Sequence, residues 1–269
     1  MDLAKNKRPS PQEESEPLFP SLYNFFSAIT ALTLFTGRYF KSVLLPPFEF
    51  NELVRQSFLI GYKSFPLVGI TGFIMGLVLT IQSRPTLAEF GAESWLPAMV
   101  AVSIIREIGP VITALICAGK VGSGIGAELA SMRVTEQIDA MEVSGINPFK
   151  YIVVTRILAC TLMLPILVVF SDVIALLGSF LAVNINGDVT FTLYFSQVID
   201  SLAFSDVFPA FVKTFFFGFA IGLIGCFKGY YTDKGTEGVG LAANSAVVLS
   251  SLLIFIMDMI AVQITDLLY

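Results

Sequence analysis

Histidine is absent from all 269 residues. That single absence removes Ser-His-Asp and Cys-His nucleophile activation, histidine zinc sites and a histidine proton relay. Cysteine is scarce: Cys117, Cys160 and Cys226 lie more than 40 residues apart inside apolar runs. They form no CxxC pair and no metal-type spacing, so they read as buried small hydrophobes. Charge is thin too, at 14% of residues against roughly 25% in soluble domains. The 16 Lys and Arg face 21 Asp and Glu, a formal net charge of -5, which points to no nucleic-acid partner.

What fills the chain is apolar: 55% hydrophobic residues, 25 phenylalanines and a mean hydropathy of +0.79. The apolar residues gather in five runs, at about 65–81, 96–118, 157–183, 207–227 and 243–268. Each is near the length, roughly 20 helical residues, that crosses a hydrocarbon core of about 30 Å. The third run would be about 40 Å long as a straight helix, too short for a helical hairpin and long enough to tilt. Pro165 sits inside it as a candidate kink. The composition therefore predicts an all-α integral membrane protein, counted in spans and not in globular domains.

Three regions follow along the chain. Residues 1–17 mix charge with Pro and Ser and read as a disordered cytoplasmic tail, without the apolar h-region and cleavage site of a signal peptide. Residues 18–63 hold two weaker stretches: 18–40, apolar but broken by Asn24, Thr30, Thr33 and Thr36, and an amphipathic 51–63 behind Pro46 and Pro47. Basic residues flank 18–40 on both sides, which fits an interfacial helix better than a full span. Residues 64–269 form the five-span domain. Thirteen of the sixteen basic residues fall before span 1, between spans 2 and 3, or between spans 4 and 5. By the positive-inside rule the N-terminus is cytoplasmic and the C-terminus lies outside. The absence of a targeting segment favours a bacterial inner membrane over an organelle. No internal repeat is visible, so an inverted-repeat carrier has no support.

The loop between spans 2 and 3 is the richest stretch. Residues 127–143 carry strong helix formers and an apolar stripe of Leu129, Met132, Ile138 and Met141, with charges on the other faces. Gly145 and Pro148 follow in the order that ends a helix. A short amphipathic helix lying across the membrane face is either a docking element for a cytoplasmic partner or a solvated loop helix. The glycines at 119, 122, 124 and 126 match neither GxxxxGK[ST] nor GxGxxG and read as packing contacts. Any ATP must then be bound by another chain. The pairs Gly72/Gly76 and Gly218/Gly222 have GxxxG spacing and mark helix contacts, within the chain or across a dimer.

Within the spans, Arg106 and Glu107 sit side by side before Gly109 and Pro110. Ionisable groups in hydrocarbon are costly, so both should face the bundle interior or a wet cavity. Asp172 and Asp258 interrupt spans 3 and 5 in the same way, with less weight. Gln82 closes span 1, where it lines the same cavity or sits at the outer interface.

The run Arg106-Glu107-Ile108-Gly109-Pro110-Val111, then Ala118-Gly119-Lys120-Val121-Gly122-Ser123, Ala127-Glu128-Leu129, Met132 through Met141 and Gly145-Ile146-Asn147-Pro148 closely resembles the MlaE (YrbE-type) permease family. The resemblance implies the permease subunit of an ABC lipid-transport system, present as a homodimer. It implies that the 127–143 helix is a coupling helix docking on a cytoplasmic ATPase, which binds ATP and Mg while this chain holds no cofactor. The contact residues it implies are Glu128, Met132, Arg133, Thr135, Glu136, Gln137 and Asp139. It places Arg106 and Glu107 near a lipid cavity, for which Gln82 and Pro110 are further candidates. It implies a periplasmic MCE-domain protein as outer partner, in some systems a STAS-domain protein on the ATPase, and phospholipid as cargo. The competing reading is an ATP-independent secondary carrier or channel using Glu107, Asp172 and Asp258 as coupling carboxylates. An intramembrane hydrolase is weaker still, since no Ser-Lys or paired-Asp arrangement stands out.

Overall fold

The computed structural model describes residues 20–46, 48–185, 189–232 and 235–268. The tail assigned to 1–17 lies outside them. The described residues are mostly helical with no strand among them, and five helical segments are long and apolar enough to cross a membrane. Helix α1 (Pro20–Val43) is followed by α2 (Phe50–Glu89), the first span. Span 2 runs through Glu93–Val134 as α3 (Leu96–Ser103), α4 (Gly109–Cys117) and α5 (Ser123–Val134), joined by π-helical turns at Ile104–Ile108 and Ala118–Gly122. A short α6 (Gln137–Val143) leads to span 3, a π-helical start (Phe149–Val154) running into α7 (Thr155–Asn184). Then come α8 (Phe191–Ser201), α9 (Phe204–Tyr230) and α10 (Thr236–Leu268).

Two boundaries differ from the expectation. The amphipathic 51–63 stretch and span 1 are not separate elements: α2 passes through both without a break. The switch from mixed to apolar sequence marks a change of surroundings, and Pro66 and Pro85 both lie inside the continuous helix. The loop helix expected at 127–143 is two helices. Its first half is the end of span 2, and the chain turns at Thr135–Glu136 before α6 begins.

The bundle is organised around α7. Helix α2 packs along one side of it and α9 along another. Both contacts depend on missing side chains: a Cβ on Gly76 would overlap the Ala175 carbonyl, and one on Gly218 would overlap the Cys160 carbonyl. Without a hydrophobic drive between helices inside lipid, close backbone approach through small residues supplies the packing energy. The Thr80 hydroxyl of α2 reinforces this seam with a 2.7 Å bond to the Ser179 hydroxyl of α7. The GxxxG pairs therefore serve contacts within the chain. Of the loop glycines, Gly122 and Gly126 pack against α9 and α10, while Gly119 and Gly124 face open space.

Helix α1 attaches at the end where α9 finishes. Phe35 is buried there, edge-on to Phe149 at 5.2 Å and Phe227 at 5.5 Å, and the Arg38 guanidinium lies 4.2 Å above the Phe149 ring. Lys150 holds the α1–α2 connection by donating to the carbonyls of Leu45 and Pro46.

The glycine seam yields a direct test. Gly76→Val forces α2 off α7 and should cost about 2 kcal/mol or more, the range of core overpacking. Gly119→Ala, in open space, should be neutral. Thermal unfolding of both variants in detergent, followed by size-exclusion monodispersity, checks the contrast.

Candidate functional site

At the α8 end of the bundle, three spans bring charged side chains together. Lys213 on α9 is 6% exposed in a helix that is otherwise apolar along this stretch. Its Nζ donates to Glu107 Oε2 at 2.6 Å and to Asp258 Oδ1 at 2.9 Å, tying span 4 to spans 2 and 5. Such a buried cation is tolerated only because two carboxylates replace its water shell. Arg106, next in sequence to Glu107, points elsewhere, as the rotation of about 100° per helical residue requires. It donates to Asp266 at 3.0 Å on α10 and lies 3.8 Å from Asp206 at the start of α9. Asp206 also accepts from the Ala203 N–H, capping α9.

The local backbone explains how neighbours reach both partners. Residues 104–108 form a π-helical turn, with the Gly109 N–H reaching back to the Ile104 carbonyl. The extra residue in such a turn shifts side-chain register, a geometry found often at functional sites. Six charged groups thus form two triads, one centred on Lys213 and one on Arg106, that meet at one cleft; together this charged network has two cations and four carboxylates, a formal surplus of two negative charges. A narrow cleft lined by Arg106, Glu107, Asp206 and Lys213 opens beside it. It adjoins an apolar groove of about 250 Å³ between α9 and α10, walled by Phe208, Val212, Phe216, Ile264 and Leu268.

The other sequence-chosen intramembrane residues fall in different places. Asp258 belongs to the network through Lys213. Asp172 does not: it is packed against Gly109, and its Oδ1 has no hydrogen-bond partner among the described residues. Pro110 is buried in the bundle, and Gln82 is exposed on α2, lining neither the cleft nor the groove. Lys213, Asp206 and Asp266 were missed as site residues. A lone lysine inside the 207–227 run was signal enough for Lys213.

At the opposite end, the corner between α5 and α6 is built from the loop residues. Glu136 has φ 58, the sole left-handed non-glycine among the described residues. That conformation costs about 1 kcal/mol or more for a residue with a Cβ. Arg133 and Asp139 pair across the corner, and Leu129 and Ile138 are fully buried beneath it. The apolar stripe thus survives the break, with Met132 and Met141 half-buried beside it. Glu128 is held by Arg156 at 2.8 Å, a guanidinium only 4% exposed at the start of α7. Thr135, Glu136 and Gln137 are exposed on the turn. Helix α6 ends in a Schellman motif, with the Ile146 N–H bonding the Met141 carbonyl and Gly145 at φ 80.

A family model described as Permease MlaE matches residues 53–264. The chain belongs to the MlaE permease family. It is 39% identical over 240 residues to a probable ABC transporter permease protein of Rickettsia felis, covering 89% of this chain and 93% of that protein. It is 35% identical over 236 residues to a probable ABC transporter permease protein of Synechocystis, covering 88% and 90%. The intermembrane phospholipid transport system permease protein MlaE of Haemophilus influenzae is 33% identical over 218 residues, covering 80% and 83%. The MlaE match takes in the corner and five of the six network residues, with Asp266 just past its end.

The network predicts an asymmetric response to mutation. Lys213→Ala leaves two carboxylates facing each other without a cation and should cost about 3 kcal/mol. Adding Glu107→Gln and Asp258→Asn to Lys213→Met removes all three charges and should recover most of that loss. Chemical denaturation in detergent of the single and triple variants measures the difference.

Proposed function

We propose that this chain is the membrane subunit of an ATP-driven transporter that moves phospholipid between the inner membrane of a bacterium and a periplasmic MCE-domain carrier. The match to the MlaE permease family over residues 53–264 carries the reading. The Haemophilus influenzae relative, named as a permease of intermembrane phospholipid transport, suggests the cargo. In this reading the basic-rich end, with α1 and the α5–α6 corner, faces the cytoplasm, and the α8 end faces the periplasm. Two copies form a homodimer.

The corner suits a docking role. Helix α6 stands off span 2 on a fixed bend, braced by the Arg133–Asp139 pair and by Glu128 on Arg156, with Thr135, Glu136 and Gln137 outward. A groove in a cytoplasmic ATPase, which binds the ATP and Mg and in some systems a STAS-domain protein, would receive it. Met132, beneath the turn, packs on the core and supports the docking surface. Closure of two such ATPase subunits would draw the corners of a dimer together and favour a state with a narrower lipid cavity, a population shift driven by differential binding. At the other end, the apolar groove takes an acyl chain and the charged network receives the headgroup, an arrangement in which few polar groups orient a mostly apolar ligand.

Affinity purification of the tagged chain in mild detergent should bring down an ATPase and an MCE-domain protein in stoichiometric amounts. Glu136→Lys should cut ATPase recovery about tenfold while leaving monodispersity unchanged, and undiminished recovery would remove the corner from the interface. Glu107→Gln should slow lipid transfer in reconstituted vesicles with the ATPase still bound. Full transfer by this variant would leave Glu107 as a packing element alone.

A further inference from the structure

The cleft at the charged network and the apolar groove are one continuous surface, sharing Pro209, Lys213, Ala261 and Thr265. A chain lying in the groove therefore places whatever polar group it carries at the network. The charges there are unevenly available. Lys213 is 6% exposed and already donates to two carboxylates, so it has little left to offer a phosphate. The Arg106 side chain also pairs with two carboxylates, Asp206 and Asp266, but it is 39% exposed and has five N–H donors, so it is the cation of the network that a ligand reaches. The Asp266 side chain is 64% exposed and uses Oδ1 on Arg106, leaving an accessible carboxylate beside that guanidinium.

The site therefore offers one reachable guanidinium, one reachable carboxylate and a background surplus of two negative charges. A phosphate with an ammonium a few ångströms away meets this pattern: the phosphate takes Arg106 and the ammonium takes Asp266, with Asp206 close by. A net-negative lipid adds its charge to the surplus and leaves Asp266 unanswered. We propose that the site selects a zwitterionic phospholipid with a primary-amine headgroup, the ethanolamine class, over anionic glycerol phospholipids; this rests on the lipid-permease reading above. A choline headgroup balances charge equally but has no N–H to donate to the carboxylates, whereas a primary ammonium has three donors.

The test uses the full chain, purified with whatever partners accompany it. It is exchanged into nanodiscs of equal phosphatidylethanolamine and phosphatidylglycerol with identical acyl chains, then released from the discs and its retained lipids are counted by native mass spectrometry. The ethanolamine lipid should be retained about threefold or more over the glycerol lipid, the size expected of one accessible ion pair. Asp266→Asn, on an exposed position of α10, should bring the ratio towards one. Asp206→Asn should act in the same direction, since its amide oxygen can still accept from the Ala203 N–H and keep the α9 cap. A wild-type ratio at or below one overturns the headgroup assignment alone, as does an excess that survives both substitutions. Retention of neither lipid overturns this assignment and the lipid-permease reading together.

Discussion

The contact on which the rest depends is the backbone approach of α2 and α9 to α7. Inside hydrocarbon, two apolar helices gain nothing by leaving water, so the packing must come from dispersion at short range and from a few interhelical hydrogen bonds. Gly76 and Gly218 allow this by placing no atom where the α7 carbonyls of Ala175 and Cys160 lie. With α7 gripped on two sides, α2 and α9 have fixed positions, and the remaining spans are set relative to them.

Spans 2, 4 and 5 are joined by a different means. Lys213 is a single buried cation answered from two other helices, and the arrangement specifies one relative rotation for each. Rotate α9 by one residue, about 100°, and Glu107 and Asp258 lose their counterion. Breaking such a set is costly even though the set itself adds little net stability over apolar residues of the same shape.

Much of the architecture was legible in the sequence because hydrocarbon imposes length and hydropathy directly. The five spans, the scarcity of charge within them and the termination of α6 at Gly145 all come from local rules. The parts that were not legible depend on distant partners or on backbone states without a residue signature. Lys213 meets Glu107 and Asp258 across 106 and 45 residues of sequence, so no spacing rule links them. The corner at Glu136 takes a left-handed conformation usually announced by glycine or asparagine, and nothing in Thr135-Glu136-Gln137 announces it. The fusion of 51–63 with span 1 escaped for the opposite reason: the polarity changes there while the helix does not. Asp172, nominated alongside Asp258 on the same grounds, lies outside the network because it faces Gly109 rather than Lys213.

Span 2 connects the two ends. Residues 93–134 run as one helical rod from the α8 end to the corner, and about 27 residues separate Glu107 from Val134, roughly 40 Å at the rise of an α-helix. The corner is thus joined to Arg106 and Glu107 by continuous helical backbone. The rod has two compliant joints, the π-helical turns at 104–108 and 118–122, where the regular bonding pattern is already relaxed by one residue. The first of these joints holds Arg106 and Glu107. Bending at that joint would change the angle at which Arg106 and Glu107 meet their partners on α9 and α10.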